Sequence, residues 1–354
     1  MSLTARPFTV VLLIPTGIGA AIGGYAGDAI PVIRTLSVVC DRIITHPNVL
    51  NGAQLYWPIP NAWYVEGYGL DQFAAGRWGL RPVHQNRIGV VLDQAIEPEL
   101  RLRHLQAIDA ARATLGISIT DVCVTDTPLG VTLKTADSGA TWGTLDQPDS
   151  LLRAVEHLLN DRATSAIALV ARFPDDLDSD MLQAYRQGQG VDALAGAEAV
   201  ISHLVVQQFQ IPCAHAPALS PLPLDPHLNP RAAAEELGYT FLPSVLVGLS
   251  RAPQFIQDSA QPTDLWQDQV DAVVVPASAC GSGAILSLNA TPAHIITVMD
   301  NTTTMHATAQ SLGIESIPVQ SYAEAVGVLA ASKAGVDVKA LRPDIPSLIP
   351  RDMV

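Results

Sequence analysis

Three runs in this chain are apolar almost without interruption and rich in β-branched residues: VVLLI at 10–14, AIALVA at 166–171 and DAVVV at 271–275. A strand with one wet face alternates polar and apolar positions. A strand without that alternation must be covered on both faces, which is the situation of a parallel sheet under helices. Weaker runs of the same kind fall at 62–65, 88–92, 121–125, 295–299 and 316–319. Between them, apolar residues recur at helical spacing over 97–115, 148–160, 195–208, 230–237, 304–312 and 322–334, whereas 36–44 also reads as helix. Gly116, Gly238, Gly313 and Gly335 follow four of these stretches, where a left-handed residue ends a helix.

This alternation over 354 residues predicts an α/β protein of two closely packed lobes, with mainly parallel sheets covered by helices. The division is expected near residue 145: an N-terminal α/β lobe over 1–145 and a C-terminal α/β lobe over 146–354. The second is expected to contain a Rossmann-like βαβαβα unit over 271–334. The polar stretch 127–150 reads as a loop or hairpin insertion, and the proline-rich stretch 216–229 as an extended surface connector.

Charge limits the partners. With 20 Lys+Arg against 34 Asp+Glu the formal charge is −14, which repels nucleic acid and an anionic membrane surface alike. Only 15% of residues are charged and 48% are hydrophobic, so a large core is expected, together with a homo-oligomeric interface. The apolar run after Arg6 stops at Pro15, short of a signal-peptide core, and no stretch reaches the length of a membrane span. The expected setting is therefore cytoplasmic. Cys40, Cys123, Cys213 and Cys280 show no paired spacing, so neither a disulfide scaffold nor a zinc knuckle is expected.

Four segments carry candidate chemistry. Gly17, Gly19, Gly23 and Gly24 follow the first buried strand in a GxGxxxG arrangement that would let a backbone approach a phosphate. A nicotinamide cofactor would also need an acid at the end of the second strand; Asp41 has the distance but falls in the stretch read as helix. The sequence otherwise assigns no cofactor. His46 is a catalytic candidate, with Asn48 and Glu66 as ligand-binding candidates in neighbouring loops. Cys280 sits in a small-residue loop after a buried strand, where a helix N-terminus would lower its pKa and make it a nucleophile. Ser278, Gly281, Ser282 and Gly283 of that loop, and Asn301 and Thr302 after the next strand, would line the same edge. Cys213 and His215 are neighbours in an extended segment and read as structural, as no spacing supplies further metal donors.

The segments LLIPTGIGAAIGGYAGDA, THPNVLNGA, WYVEGYGLD, GVDALAGAEAVISHL, IPCAHAPA, GYTFLPSVLVGLSRAPQF, VVVPASACGSGA and NTTTMHATAQSLGI together resemble the cyanobacterial and plant-plastid proteins that carry domain of unknown function 3326. The resemblance runs from about residue 10 to residue 337. It implies a photosynthetic lineage and a cytoplasmic or stromal setting, and it carries over no reaction and no catalytic residue.

Three functions compete. One is an enzyme acting on a small anionic metabolite, by thiol-dependent isomerisation, hydrolysis or group transfer at Cys280. The second is a non-catalytic metabolite-binding or assembly protein, and the third is a nicotinamide-dependent oxidoreductase. An inert Cys280 removes the candidate nucleophile and favours the second.

Overall fold

The structure is a computed structural model that describes residues 6–50, 57–160, 163–175, 179–234, 241–258, 260–345 and 347–348. Its first part runs β1 (Thr9–Leu12), α1 (Ile30–Val39), β2 (Arg42–Thr45), α2 (Pro47–Leu50), β3 (Ala62–Tyr64), α3 (Gly67–Ala74) and β4 (Gly79–Arg81). The middle holds β5 (Ile88–Leu92), α4 (Pro98–Leu115), β6 (Ile119–Val124), β7 (Val131–Thr135), β8 (Thr141–Leu145), α5 (Pro148–Asn160), β9 (Ala166–Arg172), α6 (Ser179–Arg186), α7 (Ala195–Phe209) and β10 (Cys213–Ala218). The last part holds α8 (Phe241–Ser250), β11 (Gln254–Ile256), β12 (Ala272–Pro276), α9 (Gly283–Leu288), β13 (His294–Val298), β14 (Ser316–Val319) and α10 (Tyr322–Lys333).

Two parallel sheets carry the fold. One has six strands in the order β14-β13-β12-β1-β2-β3, the other four in the order β10-β9-β5-β6. Strands β1, β5 and β12 are buried at every position, and β9 at all but its last. Helices cover both faces of each sheet: α1 and α10 lie opposite α3 and α9 on the larger, and α4 and α8 lie opposite α5 and α7 on the smaller. That double cover is why the strand sequences lack a polar face.

The sheets do not follow the expected division at residue 145. The six-stranded sheet joins the first three strands to the last three, and the four-stranded sheet takes two strands from either side of that point. Val10, Val11 and Leu12 pair with Ala272, Val273 and Val274, so the chain ends close one sheet around the middle of the sequence. One apolar cluster then runs through both sheets, from Leu12 and Val274 to Leu92 and Leu246.

Two local expectations change and one, the hairpin over 127–150, holds. The stretch 36–44 is not one helix: α1 ends at Val39, Cys40 is extended at φ −103° and ψ 141°, and β2 begins at Arg42. The break is held by Asp41, whose carboxylate accepts the Phe8 N–H at 2.8 Å and meets Lys333 Nζ at 2.6 Å. The expected helix over 304–312 is only a 3-10 turn, Gln310–Leu312, so the last three strands are not the regular βαβαβα unit expected. The stretch 127–150 holds the antiparallel hairpin β7–β8. Gly116, Gly313 and Gly335 have φ of 67°, 67° and 71°, as a helix-ending residue should. Gly238 and the end of the expected 230–237 helix lie outside the described residues.

Candidate functional site

Strand β1 leads into the glycine-rich segment, but no helix starts there; loops and turns continue until α1 begins at Ile30. The glycines answer to protein atoms. A Cβ on Gly17 would stand 2.8 Å from Thr141 Oγ1, on Gly19 3.1 Å from the Gly190 carbonyl, on Gly23 2.6 Å from Ile14 Cγ2, and on Gly24 2.3 Å from the Ala20 carbonyl. The loop's backbone is bonded to the 301–304 loop: Ala21 N–H donates to Thr302 O at 2.9 Å and Thr304 N–H to Ile18 O at 2.9 Å. Asn301, buried, donates to Ile22 O at 2.9 Å and to the Tyr322 hydroxyl at 2.7 Å. Two expected ligand loops therefore meet and pack on each other. Beside β1, β2 ends at Thr45 with His46 next, so a dinucleotide fingerprint's carboxylate has no counterpart there.

His46 is buried, and its Nε2 accepts the Ile14 N–H at 3.3 Å. Desolvation pushes its pKa down to about 4, so it is a neutral acceptor that fixes the end of β1 rather than an acid or base. Asn48 donates to Gly23 O at 2.9 Å. Glu66 caps α3: its Oε2 accepts from Tyr68 N at 2.8 Å and Gly69 N at 3.2 Å. Its Oε1 lies 2.8 Å from His203 Nδ1, but that nitrogen is also hydrogen-bonded to the Ala199 carbonyl, and Oε1 receives no directed hydrogen bond. Burial lowers the His203 pKa, but the Glu66 carboxylate, the Ala199 carbonyl and the Asp71 charge together raise it above its ordinary value.

Cys280 is fully buried in the cluster beneath α9, its thiol 3.7 Å from the Ala277 carbonyl. Desolvation raises its pKa, the reverse of a reactive nucleophile. The anion position at α9 is occupied from within. Asp71 of α3 accepts the Ala284 N–H, and a Cβ on Gly283 would sit 3.5 Å from its Oδ1. Ser282 caps the same helix through Ile285 N at 3.4 Å, Ser278 pairs with the Thr303 hydroxyl at 2.8 Å, and Gly281 packs on Ala307.

A sizeable opening lies elsewhere. A cavity of about 640 Å³ lies at the carboxyl ends of β9 and β10, between α4, α6, α7 and α8. That size and that place are usual for a small-molecule site in a parallel sheet. Residues of β10 alternate: Ala214, Ala216 and Ala218 face the α8 side, and Cys213 faces the α7 side with His215. Glu198 and Ser202, one turn apart on α7, both reach that imidazole: His215 Nε2 is 3.7 Å from Glu198 Oε2, and Nδ1 is 3.0 Å from Ser202 Oγ. Asp192, just before α7, accepts the Leu194 N–H at 2.8 Å and also lines the cavity. Desolvation, then the Glu198 charge, raises its pKa to about 7, although one side of the residue opens onto the cavity and is only partly shielded.

The rest of the lining is largely apolar, including Leu194, Phe241, Leu242 and Val245. Arg103, Asp175, Ser220, Pro221 and Leu222 are exposed and mark the mouth; the Glu198 and His215 side chains, each 15% exposed, lie deeper. Asn48 is the one expected ligand residue that lines it. The glycine loop contributes a wall indirectly, through Ala26 and through Tyr25, which stacks on Tyr185 at 4.6 Å. Asp192 and Glu198 were legible only as acids at a helix start, and His215 only as a strand neighbour of Cys213. Among the described residues, no three His, Cys, Asp or Glu side chains converge as metal ligands, and no helix is long and apolar enough to cross a membrane.

No solved structure matches the chain. A protein of Synechococcus sp. (strain ATCC 27144 / PCC 6301 / SAUG 1402/1), named an uncharacterized lipoprotein, is 59% identical over 344 residues, covering 96% of this chain and 94% of the relative. That name corrects the cytoplasmic expectation, because a lipoprotein is held at a membrane by its acyl chains whatever its fold and mean charge. A family described as a protein of unknown function, DUF3326, matches residues 9–342, and the chain belongs to that family.

Proposed function

We propose that the chain binds a small, largely apolar molecule in the cavity at the ends of β9 and β10, with the molecule's polar end at Asp192, Glu198 and His215. The observation that carries this reading is a cavity of about 640 Å³ with apolar walls and three titratable side chains at its deep end. Burial of Cys280 favours binding over thiol chemistry. The acid-rich lining also argues against the anionic metabolite expected from the sequence. A lipid-anchored setting, the class named for the Synechococcus relative, suits a lipophilic ligand.

Catalysis by proton transfer is the second reading. His215, held between Ser202 and Glu198, is positioned as a base, and Asp192 as an acid. The test of the first reading is titration with Nile red, a neutral apolar dye. One saturable site is expected, and Ala107→Trp on the cavity wall should remove it without lowering the melting temperature by more than a few degrees. Equal binding in that variant would refute the cavity as the site.

A further inference from the structure

We propose that the molecule held in this cavity is a lipophilic amine, with its ammonium group between Asp192 and Glu198. The proposal rests on the cavity-binding reading and adds the chemical class of the ligand.

The charge around the cavity is uneven. Asp175, Asp192 and Glu198 line it, while its one arginine, Arg103, is exposed at the mouth. Neighbouring arginines are engaged: Arg172 holds Glu97 and Asp175, and Arg231 Nη1 meets Asp28 Oδ2 at 2.9 Å. Arg186 donates to the Pro223 carbonyl at 2.6 Å. Among the described residues, no arginine or lysine therefore faces the deep pair, and His215 Nε2 stands 3.7 Å from Glu198, beyond hydrogen-bond reach.

Two carboxyl groups that repel each other in a partly desolvated wall are a receptor for positive charge. An ammonium group replaces their repulsion with two attractions and supplies three donors. A carboxylate or phosphate head in the same place would add a third negative charge. A hydroxyl head would leave the repulsion in place. The hydrocarbon part of the ligand then lies against Leu194, Phe241, Leu242 and Val245, whose burial favours an alkyl or aryl group over water.

The test is displacement of Nile red near neutral pH by octylamine, octanol and octanoate, three probes of similar chain length that differ in head charge. Octylamine is expected to bind at least about tenfold more tightly than octanol, and octanoate more weakly than either. Glu198→Gln should shrink the gap between amine and alcohol to about threefold or less, and Asp192→Asn provides the same reading if the first variant does not fold. Octanol or octanoate binding as tightly as octylamine would overturn the amine proposal and leave the cavity reading standing. Failure of all three probes and of the dye to bind would overturn both.

Discussion

Glu198 and His215 stand 3.7 Å apart across the interface of α7 and β10, and Ser202, one turn further along the helix, meets the other nitrogen of the same imidazole at 3.0 Å. Ser202 thus fixes one nitrogen of the ring, and Glu198 stands near the other without a hydrogen bond. Removing the ring should matter to a ligand more than to the fold. His215→Ala is expected to lower apparent affinity for a cavity probe about tenfold while costing about 1–2 kcal/mol of stability, because Ser202 is left buried without that partner. Calorimetric titration alongside thermal unfolding separates the two effects.

Asp192 gives the molecule a pH dependence of definite sign. A carboxyl whose pKa is raised by folding holds its proton more tightly in the native state than in the unfolded chain. Its contribution to stability is therefore greatest at low pH and is lost as pH rises from the ordinary carboxylate value toward about 7. Each pH unit of that window is worth at most about 1.4 kcal/mol, and less here because the group is partly open to the cavity. Glu198 of α7 acts on it directly, and His215, Asp175, His104 and Arg103 line the same cavity from β10, β9's end and α4. Asp192→Asn should flatten stability between pH about 4 and 7, measured by denaturant unfolding. An unchanged slope would mean that Asp192 is ionised throughout.

Cysteine labelling should rank by exposure. Cys40, Cys213 and Cys280 are buried, and desolvation raises all three, Cys40 to about 12. Cys123, on the edge strand β6, is half-buried. Iodoacetamide near neutral pH is expected to modify Cys123 first and to leave Cys280 untouched in the native state, as mass spectrometry of the labelled protein would record.

Gly23 is a packing position. Its φ is 91° and an added Cβ would stand 2.6 Å from Ile14. Gly23→Val should cost about 2–4 kcal/mol through backbone strain and overpacking. Ligand-induced thermal stabilisation should persist in the variant, since the glycine loop is bonded to the 301–304 loop and the proposed site lies at the ends of β9 and β10.

How much of this was legible beforehand follows from how far each feature reaches along the chain. Strands β5 and β14 lie where their runs were expected, and β9 and β12 within a residue, because continuous burial leaves a local mark on composition. Strand β2 was hidden: VVCDRII reads as one helical stretch until Asp41 is seen to bind Phe8 and Lys333, partners 33 and 292 residues away. The sheet division was hidden for the same reason, since Val10 pairs with Ala272 across nearly the whole chain. The cavity collects residues from Ala26 to Val245, and each of its acids has an ordinary local explanation. Asp192 reads as a helix-start residue, and its side chain does accept the Leu194 N–H. Convergence on a common void leaves no local mark.

The most direct measurement is an anomalous difference map from crystals soaked with a bromine-labelled octanol, a neutral probe whose position does not depend on the amine proposal. The bromine is expected inside the cavity between α6, α7 and α8, with the hydroxyl toward Asp192 and His215. A bromine peak at the glycine loop over 17–24 or at the loop over 278–283, or an empty cavity with the probe bound elsewhere, would contradict the assignment of the site.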